Sequence, residues 1–203
     1  MNTNFQRFFS VDSPKAIRAV KYRYLNAINY MAPADSAGVG NLCVSASPGC
    51  IALCLGRESG QASMVSAATN WTNSVRDSRE RKARYFMRER QAYMREMLHH
   101  IACAVRTAKR KGLKLCVRPN GSTDIPYEGL RYMVDAAFAA QLSKISGHVV
   151  PTGAHTIFTA FPRVQYVDYS KIARRFDRTL PPNYHLTFSR SELNETQCVE
   201  LLA

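Results

Sequence analysis

The chain is short of acid. Its 15 Asp and Glu stand against 28 Lys and Arg, a formal net charge of +13 over 203 residues. That imbalance draws polyanions such as nucleic acid and says nothing about the fold. Long apolar runs are also missing: none approaches the ~20 residues of a membrane-spanning helix, so no membrane partner is expected. A secretory leader is lacking too, because Met1–Phe9 carries Asn, Gln and Arg where a basic-then-apolar pattern would stand. The expected location is therefore the cytoplasm, where disulfides are the less favoured use of cysteine. Repeats and low-complexity stretches are absent. So are zinc-finger, homeodomain and single-strand stacking motifs, which leaves groove reading of nucleic acid without support.

What remains is ordinary for a globular chain: 46% hydrophobic and 21% charged residues, at a length that suits one domain with a real core. Asp12-Ser13-Pro14 opens a helix expected to run to about Arg23. Leu25–Met31 alternates over part of its length as a strand does, and Ala32-Pro33 stops it. Ala62–Ala68 reads as the start of a helix interrupted near Asn70–Ser74. From Asp77 to Lys111 runs the longest helical pattern. Ala83, Met87, Met94, Met97, Leu98, Ile101, Val105 and Ala108 keep a period near 3.6, and Gly112 supplies the stop. Leu113–Val117 is a compact strand, Tyr127–Leu142 a helix, Gly147–Gly153 a loop and Ile157–Phe161 a helical turn. Val164–Val167 and His185–Phe188 are strands. The expected fold is a single α/β domain over residues 1–203. Its parallel strands alternate with helices, as a partial (β/α) barrel or open sheet with a long basic helix.

Three of the six cysteines fall within twelve residues: Cys43, Cys50 and Cys54, spaced C-x6-C-x3-C in a loop over residues 41–56. Soft thiolates at such spacing close around one metal centre, and Pro48-Gly49 supplies the turn that their convergence needs. Zinc in a structural site wants four protein ligands. The fourth would have to come from Cys103, Cys116, Cys198, His99 or His100. An iron–sulfur cluster held by three cysteines leaves one iron open to a ligand, and so is favoured over zinc, with merely buried or accidental cysteines as the third reading. Cys103 and Cys116 read as small buried hydrophobes; His155 and His185 read as structural.

The last three strands each end in a polar cluster, where parallel α/β folds put their ligands. Asn120, Ser122, Asp124, Asp168, Lys171, Ser189, Arg190 and Glu192 are the residues expected to bind a cofactor there. Arg or Lys would take a carboxylate, and Asp or Glu an amine. Singly, each is as well explained by turn or helix capping. Arg76–Lys111 carries twelve Lys or Arg against four Asp or Glu. Pairs such as Glu80/Arg84 account for part of this. The surplus makes Arg79, Arg81, Lys82, Arg84, Arg88, Lys109, Arg110 and Lys111 candidates for salt-sensitive contacts to DNA or RNA phosphates.

Several of these segments resemble a family of bacteriophage proteins labelled gene product eighty-eight. The likeness lies in Ala27–Pro33, Asn41–Cys43, Ser45–Cys50, Cys54–Gly56, Arg81–Phe86, Gln91–Leu98, Val117–Ile125, Phe161–Lys171 and Asn183–Ser189. It implies a phage protein at work in the host cytoplasm. The layout is also similar to radical S-adenosylmethionine enzymes, with a first strand, a three-cysteine loop and further strands with polar ends, although their usual spacing is C-x3-C-x2-C. This second likeness implies a [4Fe–4S] cluster and S-adenosylmethionine at the open iron. The alternative is a non-enzymatic nucleic-acid-binding phage protein with a structural zinc or cluster.

Overall fold

The computed structural model describes residues 8–202. Ser13 sets the entry to the first helix, α1 (Pro14–Arg18). Its hydroxyl accepts from the Ala16 amide at 3.2 Å, and Pro14 takes the first helical position. The chain tightens into a 3-10 turn over Ala19–Tyr22. Arg23, at a left-handed φ of 64°, then swings it into the first strand.

Six strands form among the described residues: β1 (Tyr24–Ile28), β2 (Lys114–Arg118), β3 (Tyr132–Val134), β4 (Gly153–His155), β5 (Gln165–Ser170) and β6 (Tyr184–Phe188). Four make one sheet in the order β1-β2-β5-β6, every pair parallel, while β3 and β4 pair antiparallel apart from it. The spatial order follows the chain without reversal. The sheet therefore has no switch-point crevice, and its ligand edge is the barrel-type rim at the strand C-termini. Ala27, Val117 and Tyr166 are fully buried, as expected of parallel strands covered on both faces.

Seven α-helices accompany the strands among the described residues: α1, α2 (Pro48–Ala52), α3 (Ser74–Arg88), α4 (Arg90–Arg110), α5 (Ala136–Ser146), α6 (Ile157–Ala160) and α7 (Glu195–Glu200). The main cover is α4, which packs on β1, β2 and α5. Met94, Met97, Leu98, Ile101 and Ala108 are buried along one stripe of it, as their period predicts. Each large side chain there contributes roughly 1.5–3 kcal/mol. Among the described residues no helix is long and apolar enough to cross a membrane.

The single helix expected over 77–111 is two, parted at Glu89 (φ −128°, ψ 50°). No Gly or Pro causes the break. It lets Phe86 meet Tyr93 edge-to-face with ring centres 5.2 Å apart, so aromatic packing overrides a local preference for helix. The helix expected over 127–142 is also corrected. Tyr127 is drawn wholly into the core, β3 follows, and α5 starts only at Ala136, where Asp135 Oδ1 accepts the Phe138 amide at 2.8 Å. Residues 60–63 and 67–69 form 3-10 turns in place of the helix expected over 62–68. β4 and α7 lie where no element was expected.

Candidate functional site

The loop that leaves β1 returns over the C-terminal edge of the sheet. Asn41 Oδ1 accepts the Cys43 amide at 2.7 Å, and the Leu42 carbonyl accepts the Asp124 amide at 2.8 Å, which ties the loop to the segment after β2. Ser47 caps α2 by accepting the Cys50 amide at 3.2 Å. Cys54 follows α2, and its carbonyl gathers the amides of Arg57, Glu58 and Ser59 in a tight turn. Gly56 lies against Pro33, whose Cδ would stand 2.7 Å from a Cβ there. Only glycine permits that approach, and from it the Gly56 amide donates to Cys54 Sγ at 3.3 Å.

Cys43, Cys50 and Cys54 line one cleft of about 530 Å³ together with the ends of β2, β5 and β6. Burial pushes the Cys43 thiol up to about 12, against a hydrogen bond from the Ala34 backbone, and Cys54, Asp124 and Cys50 add to the rise. Cys54 is raised by burial and by Cys50, against hydrogen bonds from the Gly56 and Arg57 amides. Negative charge on its neighbours thus disfavours the thiolates of Cys43 and Cys54, an effect that a cation joining the sulfurs would offset. Among the described residues no three His, Cys, Asp or Glu side chains are grouped so as to hold a single metal ion. Cys103, Cys116, Cys198, His99 and His100 lie outside the cleft lining. Cys103 Sγ instead stands 3.7 Å from His99 Nε2, and His100 stacks on Phe8.

Of the eight expected cofactor residues, seven line this cleft: Asn120, Ser122, Asp124, Lys171, Ser189, Arg190 and Glu192. Asp168 does not. It is buried beneath the floor, where it accepts the Asn120 backbone amide at 3.0 Å, Asn120 Nδ2 at 2.8 Å and the Tyr184 hydroxyl at 3.3 Å. Burial pushes its carboxyl up to about 7, against the Asn120 hydrogen bonds and the positive charges of Arg118 and Arg175.

Several of the seven are also committed within the protein. Asn120 Oδ1 accepts Thr123 Oγ1 and the Ile125 amide. Asp124 accepts the Ser170 hydroxyl, the Lys171 amide and, at 2.7 Å, the Arg175 guanidinium. Ser122 donates to the Met31 carbonyl at 2.6 Å. The Glu192 carboxylate takes Ser47 Oγ and the Gly49 amide, each at 2.8 Å, and so clamps the start of α2. Gly49 leaves it room, since a Cβ would lie 2.8 Å from Glu192 Oε1. Asp168, Asp124 and Glu192 thus already have partners within the protein, in turn buried amides, a guanidinium and a helix start, and of the three only Asp124 and Glu192 line the cleft.

Lys171, whose Nζ donates to Ser189 Oγ at 2.7 Å, and Arg190, paired with Glu195, keep positive charge at the rim. Tyr169, which the sequence pattern puts on the same rim, lines the cleft as well. Sequence reasoning missed Arg118, whose guanidinium stands 4.9 Å above the Tyr169 ring; it is the last residue of β2, so the strand-end rule that marked its neighbours could have found it.

A family model described as gene product 88 matches residues 7–203. The chain belongs to that family. The resemblance to the bacteriophage family is thereby borne out over nearly the whole chain. No curated protein and no solved structure matches the chain.

The basic surface is smaller than the sequence pattern suggests. Arg79 donates to the Leu55 and Gly56 carbonyls at 2.7 and 2.9 Å, and Arg84 to the Ala37 carbonyl and Glu80. Lys82 is buried, with Nζ on the Phe8 carbonyl at 3.0 Å and Asn29 Oδ1 at 3.4 Å. Loops folded over α3 thus offer the side chains of all three carbonyl acceptors, and Lys82 is the one that is fully withdrawn from the surface. Arg81, Arg88, Lys109, Arg110 and Lys111 are exposed.

Proposed function

We propose that Cys43, Cys50 and Cys54 hold a [4Fe–4S] cluster at the C-terminal edge of the sheet, with one iron left open to a small ligand in the cleft. The observation that supports this is the convergence of all three thiols with the polar ends of β2, β5 and β6 in one cleft of about 530 Å³. Single zinc fits the donor set less well. Tetrahedral zinc draws sulfurs to ~3.8 Å from one another and wants a fourth ligand. No such grouping exists among the described residues, and no fourth Cys or His lines the cleft. A cluster takes one thiolate per iron, so its ligands stand farther apart, and its open iron needs no fourth protein ligand. The Gly56 amide on Cys54 Sγ is the kind of hydrogen bond that tunes such a centre.

When bound, the cluster would supply one-electron chemistry and a free coordination position. The chain's own residues then divide the remaining work. Lys171 and Arg190 present positive charge to a carboxylate or phosphate, and Ser189 presents a hydroxyl beside Lys171. Arg118 over Tyr169 offers a planar cationic face. An amino-acid-like ligand suits this set. S-adenosylmethionine is the first to try, because a three-cysteine loop after the first strand of a parallel sheet is similar to the layout of radical S-adenosylmethionine enzymes.

Purified without oxygen, or reconstituted with iron and sulfide, the protein should be brown. It should carry iron and acid-labile sulfide in the proportions of one cluster per chain, and Cys50→Ala should lose both. A colourless protein after reconstitution, or one with stoichiometric zinc from the same preparation, overturns the proposal. S-adenosylmethionine should alter the electron paramagnetic resonance spectrum of the reduced protein; an unchanged spectrum removes that ligand and leaves the cluster standing.

A further inference from the structure

A second cleft, of about 1130 Å³, opens at the other end of the sheet. Tyr24, Lys114 and Gln165, the first residues of β1, β2 and β5, line it, as do Lys109 at the end of α4 and Arg163 just before β5. No Asp or Glu lines it. Lys109, Lys114 and Arg163 are exposed, and among the described residues none of them is in an ion pair. Arg110 and Lys111, also exposed, extend the positive charge beyond the rim. The negative end of the α4 dipole accounts for Lys109. It does not account for Lys114, which begins a strand, or for Arg163, which follows a helix of one turn. Between the cations the walls are apolar, with Leu113, Pro162 and the largely exposed Val149.

We infer that this cleft binds single-stranded nucleic acid, with phosphates on Lys109, Lys114 and Arg163 and bases laid on Tyr24 and the apolar wall. Unpaired cations around a groove with no carboxylate fit a polyanion, and the net charge of +13 steers one toward it. The apolar wall favours a single strand, because a duplex keeps its bases stacked inside and offers only phosphates. The site lies on the edge opposite the cysteine cleft and does not depend on a metal there.

Fluorescence anisotropy with labelled short oligothymidylate, oligouridylate and a duplex of the same length tests this. The two single strands should bind within a few-fold of each other, since phosphates and base faces are common to both, and the duplex at least tenfold more weakly. Substituting Lys109→Ala, Lys114→Ala and Arg163→Ala together should weaken single-strand binding at least tenfold at low salt. It should also flatten the slope of log affinity against log salt by about 2, three phosphate contacts at roughly 0.7 each. Substituting Arg131→Ala, Arg174→Ala and Arg178→Ala removes the same charge from exposed positions that line neither cleft and should change binding by no more than about twofold. Equal losses in the two triple variants, duplex binding as tight as single-strand binding, or no binding at low salt overturns the inference. Unchanged circular dichroism of both variants shows that folding is not the cause.

Discussion

Lys82→Met should make the protein more stable at pH 6 and less stable at pH 10. The ammonium is buried in the core with two neutral acceptors, the Phe8 carbonyl and Asn29 Oδ1. Burial, with Arg79 close by, lowers its pKa from 10.5 to about 7. Below pH 7 the folded protein bears the whole cost of holding the charge, roughly 5 kcal/mol at about 1.4 kcal/mol per tenfold change in proton affinity. Between pH 7 and 10.5 the folded protein gives up the proton while the unfolded chain keeps it. Stability of the natural protein therefore rises with pH through that window, and above it the cost is gone. Methionine removes the charge but takes one donor away from each of two buried oxygens, which costs about 1–3 kcal/mol for the shorter contact to the Phe8 carbonyl and less for the longer one. At pH 6 the variant should gain about 1–3 kcal/mol; at pH 10 it should lose a similar amount. Urea unfolding at the two pH values, analysed by linear extrapolation, measures both. A difference between variant and natural protein of the same sign and size at pH 6 and pH 10 would refute the argument.

Arg175→Met should destabilise by about 3–5 kcal/mol, because it strips Asp124 and Glu128 of a buried guanidinium bonded to them at 2.7 and 2.8 Å; thermal unfolding reads this. Gly56→Ala should cost about 1–3 kcal/mol, since its Cβ would press on Pro33 at 2.7 Å. It should also lower the metal content measured after anaerobic purification. Cys103→Ala and Cys116→Ala, whose sulfurs lie outside the cleft lining, should keep the visible absorption that Cys50→Ala loses. Loss of colour in either would place a fourth ligand where none is drawn here.

The sheet is legible in the sequence because β2, β5 and β6 are short apolar runs that each close on a polar cluster, and a covered parallel sheet needs both. The cysteine loop is legible from the close spacing of its thiols, although Pro48-Gly49, read as a turn, opens the helix α2 instead. What the polar strand ends do is another matter. Asn120 and Asp168 look the same in sequence whether they face a ligand or brace one another, and only their 2.8 Å contact separates the two roles. The same holds for Lys82, Arg79 and Arg84. Each keeps helical spacing on a charged helix, yet the carbonyls that receive them come from loops that fold over α3. The break at Glu89 left no mark either, since its cause is the distant fit of Phe86, Tyr93 and Tyr127.

The clamp of Glu192 on Ser47 and Gly49 sets a timetable. Its two halves are separated by 143 residues, which a ribosome adding ~5–20 residues per second takes roughly 7–30 s to synthesise. For that interval Cys43, Cys50 and Cys54 hang on a nascent chain whose β5 and β6 do not yet exist, and α2 has no carboxylate at its start. The thiols stay free to meet oxidants or stray metal until β6 and Glu192 arrive. A cluster held by these thiols would therefore be loaded only after Glu192 is made, so a late segment decides when an early loop is ready.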